Sequence, residues 1–157
     1  MVKKQNAYEQ LLFKFDMIRT PNTLEEWDSY YDLRYRILRQ PWNQVRGSER
    51  NDGDSSAIHL AYFESKSILG VGRLDILTED EAQIRFMAVE NEQQGKGIGR
   101  LLMEHLETMA KNEGCKRSVL HAREIALPFY QKLGYQSIEK SHLLFDEIQH
   151  YLMHKNL

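Results

Sequence analysis

Residues 82–100 read AQIRFMAVENEQQGKGIGR. An apolar run from Ile84 to Val89 leads through a short polar link into Gln94-Gly95-Lys96-Gly97-Ile98-Gly99. An amphipathic run, Leu101-Leu102-Met103-Glu104-His105-Leu106, follows directly. This order predicts a strand, a glycine-rich turn and a helix start. Such an arrangement makes an anion site, because glycines let the backbone approach closely and the free N–H groups of a helix start point at the ligand. A pyrophosphate is the expected ligand.

Two common glycine motifs do not fit. The dinucleotide fingerprint has the spacing G-x-G-x-x-G, whereas Gly95, Gly97 and Gly99 run G-x-G-x-G. The ATP-type loop has Gly-Lys-Ser/Thr, and here Gly97 follows Gly95-Lys96. A plain glycine-rich turn ahead of a surface helix would have the same composition. However, Gln94-x-x-Gly97-x-Gly99 resembles the Gln/Arg-x-x-Gly-x-Gly/Ala loop of the GNAT N-acetyltransferase superfamily, whose members bind the pyrophosphate of acyl-coenzyme A there. A second segment, SVLHAREIALPFYQKLGY at 118–135, strengthens the resemblance. Ser118 to Ala122 reads as a buried strand, and Ala126 to Leu133 has helical spacing closed by Gly134. Ala126-x-x-Phe129-Tyr130-x-Lys132-x-Gly134-Tyr135 is similar to the family's A-x-x-[Leu/Phe]-Tyr-x-Lys-x-Gly-[Phe/Tyr] segment.

The resemblance covers roughly residues 55–145 and implies acetyl-CoA as co-substrate, with no metal. It assigns the pyrophosphate to the backbone of Gln94, Gly95, Lys96, Gly97, Ile98, Gly99 and Arg100. Helix-dipole charge would add to binding, and the Lys96 and Arg100 side chains would add direct charge. It assigns the pantetheine arm to backbone groups of Met87, Ala88 and Val89, and further cofactor contacts to Phe129 and Lys132. Tyr130 takes the role of the acid that protonates the departing thiolate. Packing into a core is the alternative use of an aromatic at such a position, and Phe129 is expected to pack in that way. One departure is visible: many members carry an asparagine shortly before the tyrosine, where this chain has Arg123, Glu124 and Ile125. Pro128 is also unusual in a helix, so the helix is expected to begin near Leu127 or to kink there.

Acyl transfer to an amine needs an uncharged amine, a donor for the developing oxyanion and a proton for the thiolate. Candidate bases are Glu64, Asp75, Glu81, Glu124, His59 and His121. His121 is preferred because it lies near the end of its strand ahead of Tyr130, and a water chain would also serve. The front of the chain should shape the acceptor pocket. Arg34, Trp42, Arg46 and Arg50 are the pocket candidates, able to hold an acidic group, whereas Arg36 and Arg39 read as helix-face charges. That front segment is similar to a largely uncharacterised bacterial subgroup of the superfamily. The acceptor expected is a primary amine on a small molecule or peptide. Two other classes stay open: an acyl-CoA-binding sensor without catalysis, and an interaction module with a purely structural loop.

Bulk properties agree with one globular domain over 1–157. The chain has 157 residues, 41% of them hydrophobic and 28% charged, enough to build a core. A net charge of −2 gives no general attraction to nucleic acid or anionic membrane, so neither is expected as a partner. A homodimer is compatible with this reading. With the single cysteine Cys115 no internal disulfide can form; a reducing compartment is expected and Cys115 reads as incidental. No targeting segment or membrane span is evident, so the expected location is cytoplasmic.

Periodicity supplies the rest. Leu11 to Ile18 reads as a first strand, and Thr23-x-x-Glu26 as a capping box opening a helix to about Leu38. Trp27, Tyr30, Tyr31, Leu33, Arg34, Ile37 and Leu38 form that helix's heavy face. Residues 43–55 form a polar loop. Strands are expected at 58–63, 68–77, 82–89, 117–122, 135–139 and 148–154, with helices at 98–112 and 127–133. The fold class is α+β: a GNAT-like mixed, mostly antiparallel central sheet with helices on both faces.

Overall fold

The computed structural model of the chain describes residues 17–157 together with Ala7, Glu9 and Gln10. Most of the first strand expected at 11–18 falls outside the described residues; its end is the short strand β1, Ile18–Arg19. Helix α1, Leu24–Leu38, follows. The Thr23 hydroxyl accepts from the Glu26 N–H at 3.2 Å, which satisfies one of the first-turn donors. The Glu26 carboxylate takes the Asn22 N–H at 2.8 Å and the Arg19 guanidinium at 2.7 Å.

Strands β2 (Ile58–Glu64), β3 (Ser67–Ile76) and β4 (Glu81–Val89) form an antiparallel run. Helix α2 (Ile98–Asn112) then crosses to β5 (Arg117–Arg123), which pairs with β4 in parallel, as a strand–helix–strand crossover requires. The short helix α3, Leu127–Lys132, has Pro128 in its first turn, where a missing N–H costs nothing. Strands β6 (Gln136–Leu144) and β7 (Ile148–Asn156) complete a 7-stranded sheet of order β1-β2-β3-β4-β5-β7-β6. β6 runs several residues past the 135–139 expected. It is an edge strand exposed along nearly its whole length, so no hydrophobic alternation marks it in the sequence.

The two faces of the sheet carry different helices. Along β2, Leu60 and Tyr62 pack with the apolar face of α2, while Ala61 and Phe63 pack with Tyr30 and Leu33 of α1. This is the period-2 alternation of a strand covered on both sides. In β3, Gly70 and Gly72 let α2 settle close: a β-carbon on Gly70 would come 2.7 Å from Ile98 Cγ2, and one on Gly72 2.8 Å from Leu106 Cδ1. Close docking sets the start of α2 against the end of β4. Among the described residues no helix is long and apolar enough to cross a membrane.

Candidate active site

The β4–β5 ladder is short. Cα partners run only through Glu81–Arg117, Ala82–Ser118 and Gln83–Val119. Beyond them β4 stays with β3, and β5 stays with β7 as far as Arg123–His150. The edges of β4 from Ile84 and of β5 from Leu120 therefore separate and leave a gap through the sheet. A bulge marks the opening. The β3–β4 register shifts between Val71 and Arg73, and opposite that shift Phe86 has φ 53°. A bulky residue in the left-handed region costs on the order of 1–3 kcal/mol, and such strain gathers at functional sites. The Phe86 ring is held by the Arg34 guanidinium, 3.8 Å from its centroid.

On the α2 side of the gap lies the glycine loop. Gly97 caps α2 with φ 90° and offers no side-chain cap, so the first-turn N–H groups of Ile98, Gly99 and Arg100 have no intrahelical acceptor. Gly95 also has positive φ, 78°. The Gln94 side-chain amide donates to the Val89 carbonyl at 3.1 Å and ties the loop to the end of β4. Val89 and Met87 are half-buried and Ala88 is buried. Lys96 and Arg100 are exposed; Lys96 donates to Gln93 at 3.3 Å and Arg100 pairs with Glu104 at 2.8 Å. These amides and cations suit a pyrophosphate, so the loop fits coenzyme A.

Helix α3 leans on this loop. The Phe129 ring lies over Gly99, 3.2 Å from where a β-carbon would stand, and remains 38% exposed rather than entering the core. Its neighbour Tyr130 turns inward against the α2-side core, 6.0 Å from the Tyr135 ring. Burial pushes the Tyr130 hydroxyl up to about 12, with Arg123 pulling the other way. Tyr130 is thus a proton holder across the working pH range. Lys132 is exposed.

On the opposite side stand His121 and Arg85. Each lies two residues past the last β4–β5 pair. Burial, then His142 and Arg85, lower the His121 imidazole below its ordinary range, which keeps it neutral and able to accept a proton. The His121 ring is 5.2 Å from that of His142, and His142 stacks on His150 at 4.3 Å. Strand order β5-β7-β6 brings these rings together, which sequence spacing alone does not reveal.

The expected pocket residues fall into two groups. Arg34 and Trp42 reach the gap, through Phe86 and through Arg123, whose guanidinium is 4.9 Å from the Trp42 ring centroid. Arg34 is also fully buried and bound to Asp54 at 2.9 Å, so much of its charge is already used. Arg46 and Arg50 lie on exposed ground, Arg46 against Asp32 and Tyr35, Arg50 over Tyr31. Arg36 clamps Glu90 with contacts of 2.6 and 3.0 Å. Arg39, read from sequence as a helix-face charge, instead reaches both Phe86 and Phe145 at 5.7 and 5.4 Å. Sequence reasoning passed over Arg85, whose charge inside the apolar run of β4 is the signal that could have marked it; Arg123, His142, His150 and Phe145 carried no such signal. Of the other candidate bases, His59 is buried and engaged on both nitrogens, by Tyr30 at 2.9 Å and the Asp54 carbonyl at 2.8 Å. A surface depression of about 810 Å³ between α1 and the segment after β4, lined by Asp28, Asp32, Arg36 and Glu90, includes none of Phe86, His121 or Tyr130. Among the described residues no cluster of His, Cys, Asp or Glu is placed to hold a metal.

Comparison with known proteins agrees with this fold. The uncharacterized N-acetyltransferase YjcF of Bacillus subtilis (strain 168) is 24% identical over 129 residues, covering 82% of this chain and 91% of that protein. Among solved structures, an aminoglycoside 6'-N-acetyltransferase complexed with coenzyme A has a TM-score of 0.75 at 16% identity, covering 88% of this chain and 96% of that one. A PaiA N-acetyltransferase from Thermoplasma acidophilum in complex with coenzyme A has a TM-score of 0.72 at 16% identity, covering 89% and 98%. The acetyltransferase (GNAT) family model matches residues 27–135, and the chain belongs to that family.

Proposed function

We propose that the chain transfers an acetyl group from acetyl-CoA to a primary amine by direct attack. Family membership supports acyl-CoA-dependent acetyltransferase activity. One observation supports the finer reading: α3 links the glycine loop to Tyr130, because Phe129 meets Gly99 while Tyr130 beside it packs against the α2-side core with Arg123 as its charged neighbour. Bound acetyl-CoA supplies the acetyl group as a thioester. The first-turn amides of α2 hold its pyrophosphate, and the β4 backbone at Met87, Ala88 and Val89 holds the pantetheine arm. His121, neutral at pH 7, accepts the proton that the amine loses as the new C–N bond forms. Tyr130 gives its proton to the sulfur as the C–S bond breaks.

Two measurements test this. Heat denaturation with and without acetyl-CoA reads the cofactor site; at a hundredfold excess over Kd the gain should be about 2.7 kcal/mol. Thiol release over an amine panel reads the transfer. Equal stabilisation by acetyl-CoA and by dephosphorylated pantetheine would remove the pyrophosphate assignment. Stabilisation with no thiol release for any amine would leave a sensor.

A further inference from the structure

The α1 side of the gap holds more positive charge than its carboxylates neutralise. Arg39, Arg85 and Arg123 come from the end of α1, from β4 and from the end of β5. Arg39 and Arg85 both stand near the Phe86 ring, at 5.7 and 5.2 Å. Arg123 stands over Trp42. Among the described residues no carboxylate lies within ion-pair distance of Arg39 or Arg123. Arg39 donates only to the carbonyls of Ser48 and Leu38, at 3.0 and 2.9 Å. Arg85 meets Asp75 at 3.7 Å, but Asp75 is already gripped by Arg73 at 2.6 and 2.7 Å.

The Arg39 guanidinium also feels the other two. Burial, then Arg34 and Arg123, with Arg85 adding to them, lower the Arg39 guanidinium from its ordinary value; Glu49 opposes this only in part. Burial lowers Arg123 as well, with Tyr130 as its opposing neighbour. Like charges gathered in half-buried ground cost stability unless a counter-ion shares them. The contrast with Arg34 and Arg73 is informative. Those arginines stand near the Phe86 ring, at 3.8 and 5.3 Å from its centroid, and share Asp54 at 2.9 and 3.0 Å. The fold therefore neutralises its structural arginines, leaves Arg39 and Arg123 without a carboxylate partner, and gives Arg85 only a share of Asp75 at 3.7 Å. The cofactor's anion site is on the α2 face, so these charges are free for the other substrate.

We propose that the acceptor carries an oxyanion group, carboxylate or phosphate, on the same small molecule as its amine, and that Arg39, Arg85 and Arg123 hold it. This rests on the transferase reading for the amine, not for the anion. Guanidinium groups suit both oxyanions through paired N–H donors. The same wall repels polycationic amines.

The test uses matched acceptors with the full chain and acetyl-CoA: an acidic amino acid against its carboxamide, and a hexosamine phosphate against the free hexosamine, with spermidine as a cationic comparison. The acidic member of one pair should be preferred roughly ten- to a hundredfold in kcat/KM, and the responding pair separates carboxylate from phosphate. Arg39→Gln and Arg123→Gln should collapse that preference through KM, and Arg123→Lys should restore part of it. A second readout needs no turnover: succinate and inorganic phosphate are titrated against Trp42 fluorescence, with a saturable change expected in the wild type and lost in Arg123→Gln. Anion binding without any turnover would keep the oxyanion site and sink the transferase reading. Turnover with no acidic preference and no anion response would overturn the oxyanion site and keep the transferase. If the arginine variants lose acetyl-CoA affinity instead, the cluster belongs to the cofactor and the proposal falls.

Discussion

Phe129 stands so close to Gly99 that a β-carbon at Gly99 would lie 3.2 Å from its Cζ. The contact joins the first turn of α2 to the helix that carries Tyr130. Gly99→Val therefore has to displace the ring and intrude where the first-turn amides are exposed. Phe129 is partly exposed and can yield, so the fold should survive. The stabilisation given by acetyl-CoA in a melting experiment should be lost. Gly97→Ala acts differently: nothing crowds its β-carbon, but φ is 90°, so a cost of about 1–2 kcal/mol to the fold itself is expected from urea titration.

Tyr130→Phe keeps the ring that packs beside Tyr135 and removes only the hydroxyl. A thiolate is a modest base, so the loss in kcat should sit near the lower end of the range for general acids, about 10²-fold. Calorimetry should find acetyl-CoA affinity close to that of the wild type. Wild-type turnover with chemistry limiting would make Tyr130 a packing residue.

His121 has its imidazole lowered beneath the ordinary value of 6.5 by burial, His142 and Arg85. Its neutral form is the active one for a base, so kcat/KM should fall as pH drops through an apparent value below 6.5, not above it. His121→Ala should lower the rate and abolish that acidic limb. An unchanged profile would assign the base role to water.

Asp54 joins two arginines that are 0% and 1% exposed, Arg34 and Arg73. Burial alone would raise its carboxyl, but the Arg34 hydrogen bond and the Asn51 N–H outweigh that and hold it low. Asp54→Ala leaves Arg34 with no carboxylate partner and Arg73 with Asp75 alone. A loss of about 3 kcal/mol in urea denaturation is expected, because a lone buried charge is costlier than the pair is favourable. Near-wild-type stability would mean that water reaches these arginines.

Folding stability should itself depend on pH. Burial lowers His59, His121 and His150 from 6.5 in the fold. The unfolded chain then binds protons first as pH falls, so stability drops below about pH 6.5 and continues to drop until the folded values are passed. The Glu26 carboxyl, held at about 2 by the Arg19 hydrogen bond, adds a second loss at lower pH. Urea midpoints measured at pH 7.5, 6.5 and 5.5 should fall in that order, and a flat series would show these imidazoles to be ordinary.

The features that were legible in the chain are those decided over a few neighbouring residues. Gly97 and Gly134 adopt positive φ where a helix begins or ends, Thr23 caps α1, and Pro128 sits in the first turn of α3. Each follows from local backbone sterics and hydrogen bonding, so spacing alone located the loop and the Tyr130 helix. Apolar runs likewise identified β2 through β5, since strands covered on both faces are apolar on successive residues. The fate of the arginines was not local. Arg34 and Arg36 lie on α1 and Arg39 caps its end, yet the first is buried on Asp54, the second clamps Glu90 and the third reaches Phe145. Those partners come from distant parts of the chain, and only the packing of α1 on the sheet selects them. The same holds for the histidines. His121, His142 and His150 become neighbours because β7 inserts between β5 and β6, with Arg123 facing His150 in register. Sequence therefore determined the glycine loop and the helix it opens, and tertiary structure decided which charges and imidazoles face the other side of the gap, because long-range electrostatic and ring contacts depend on strand order.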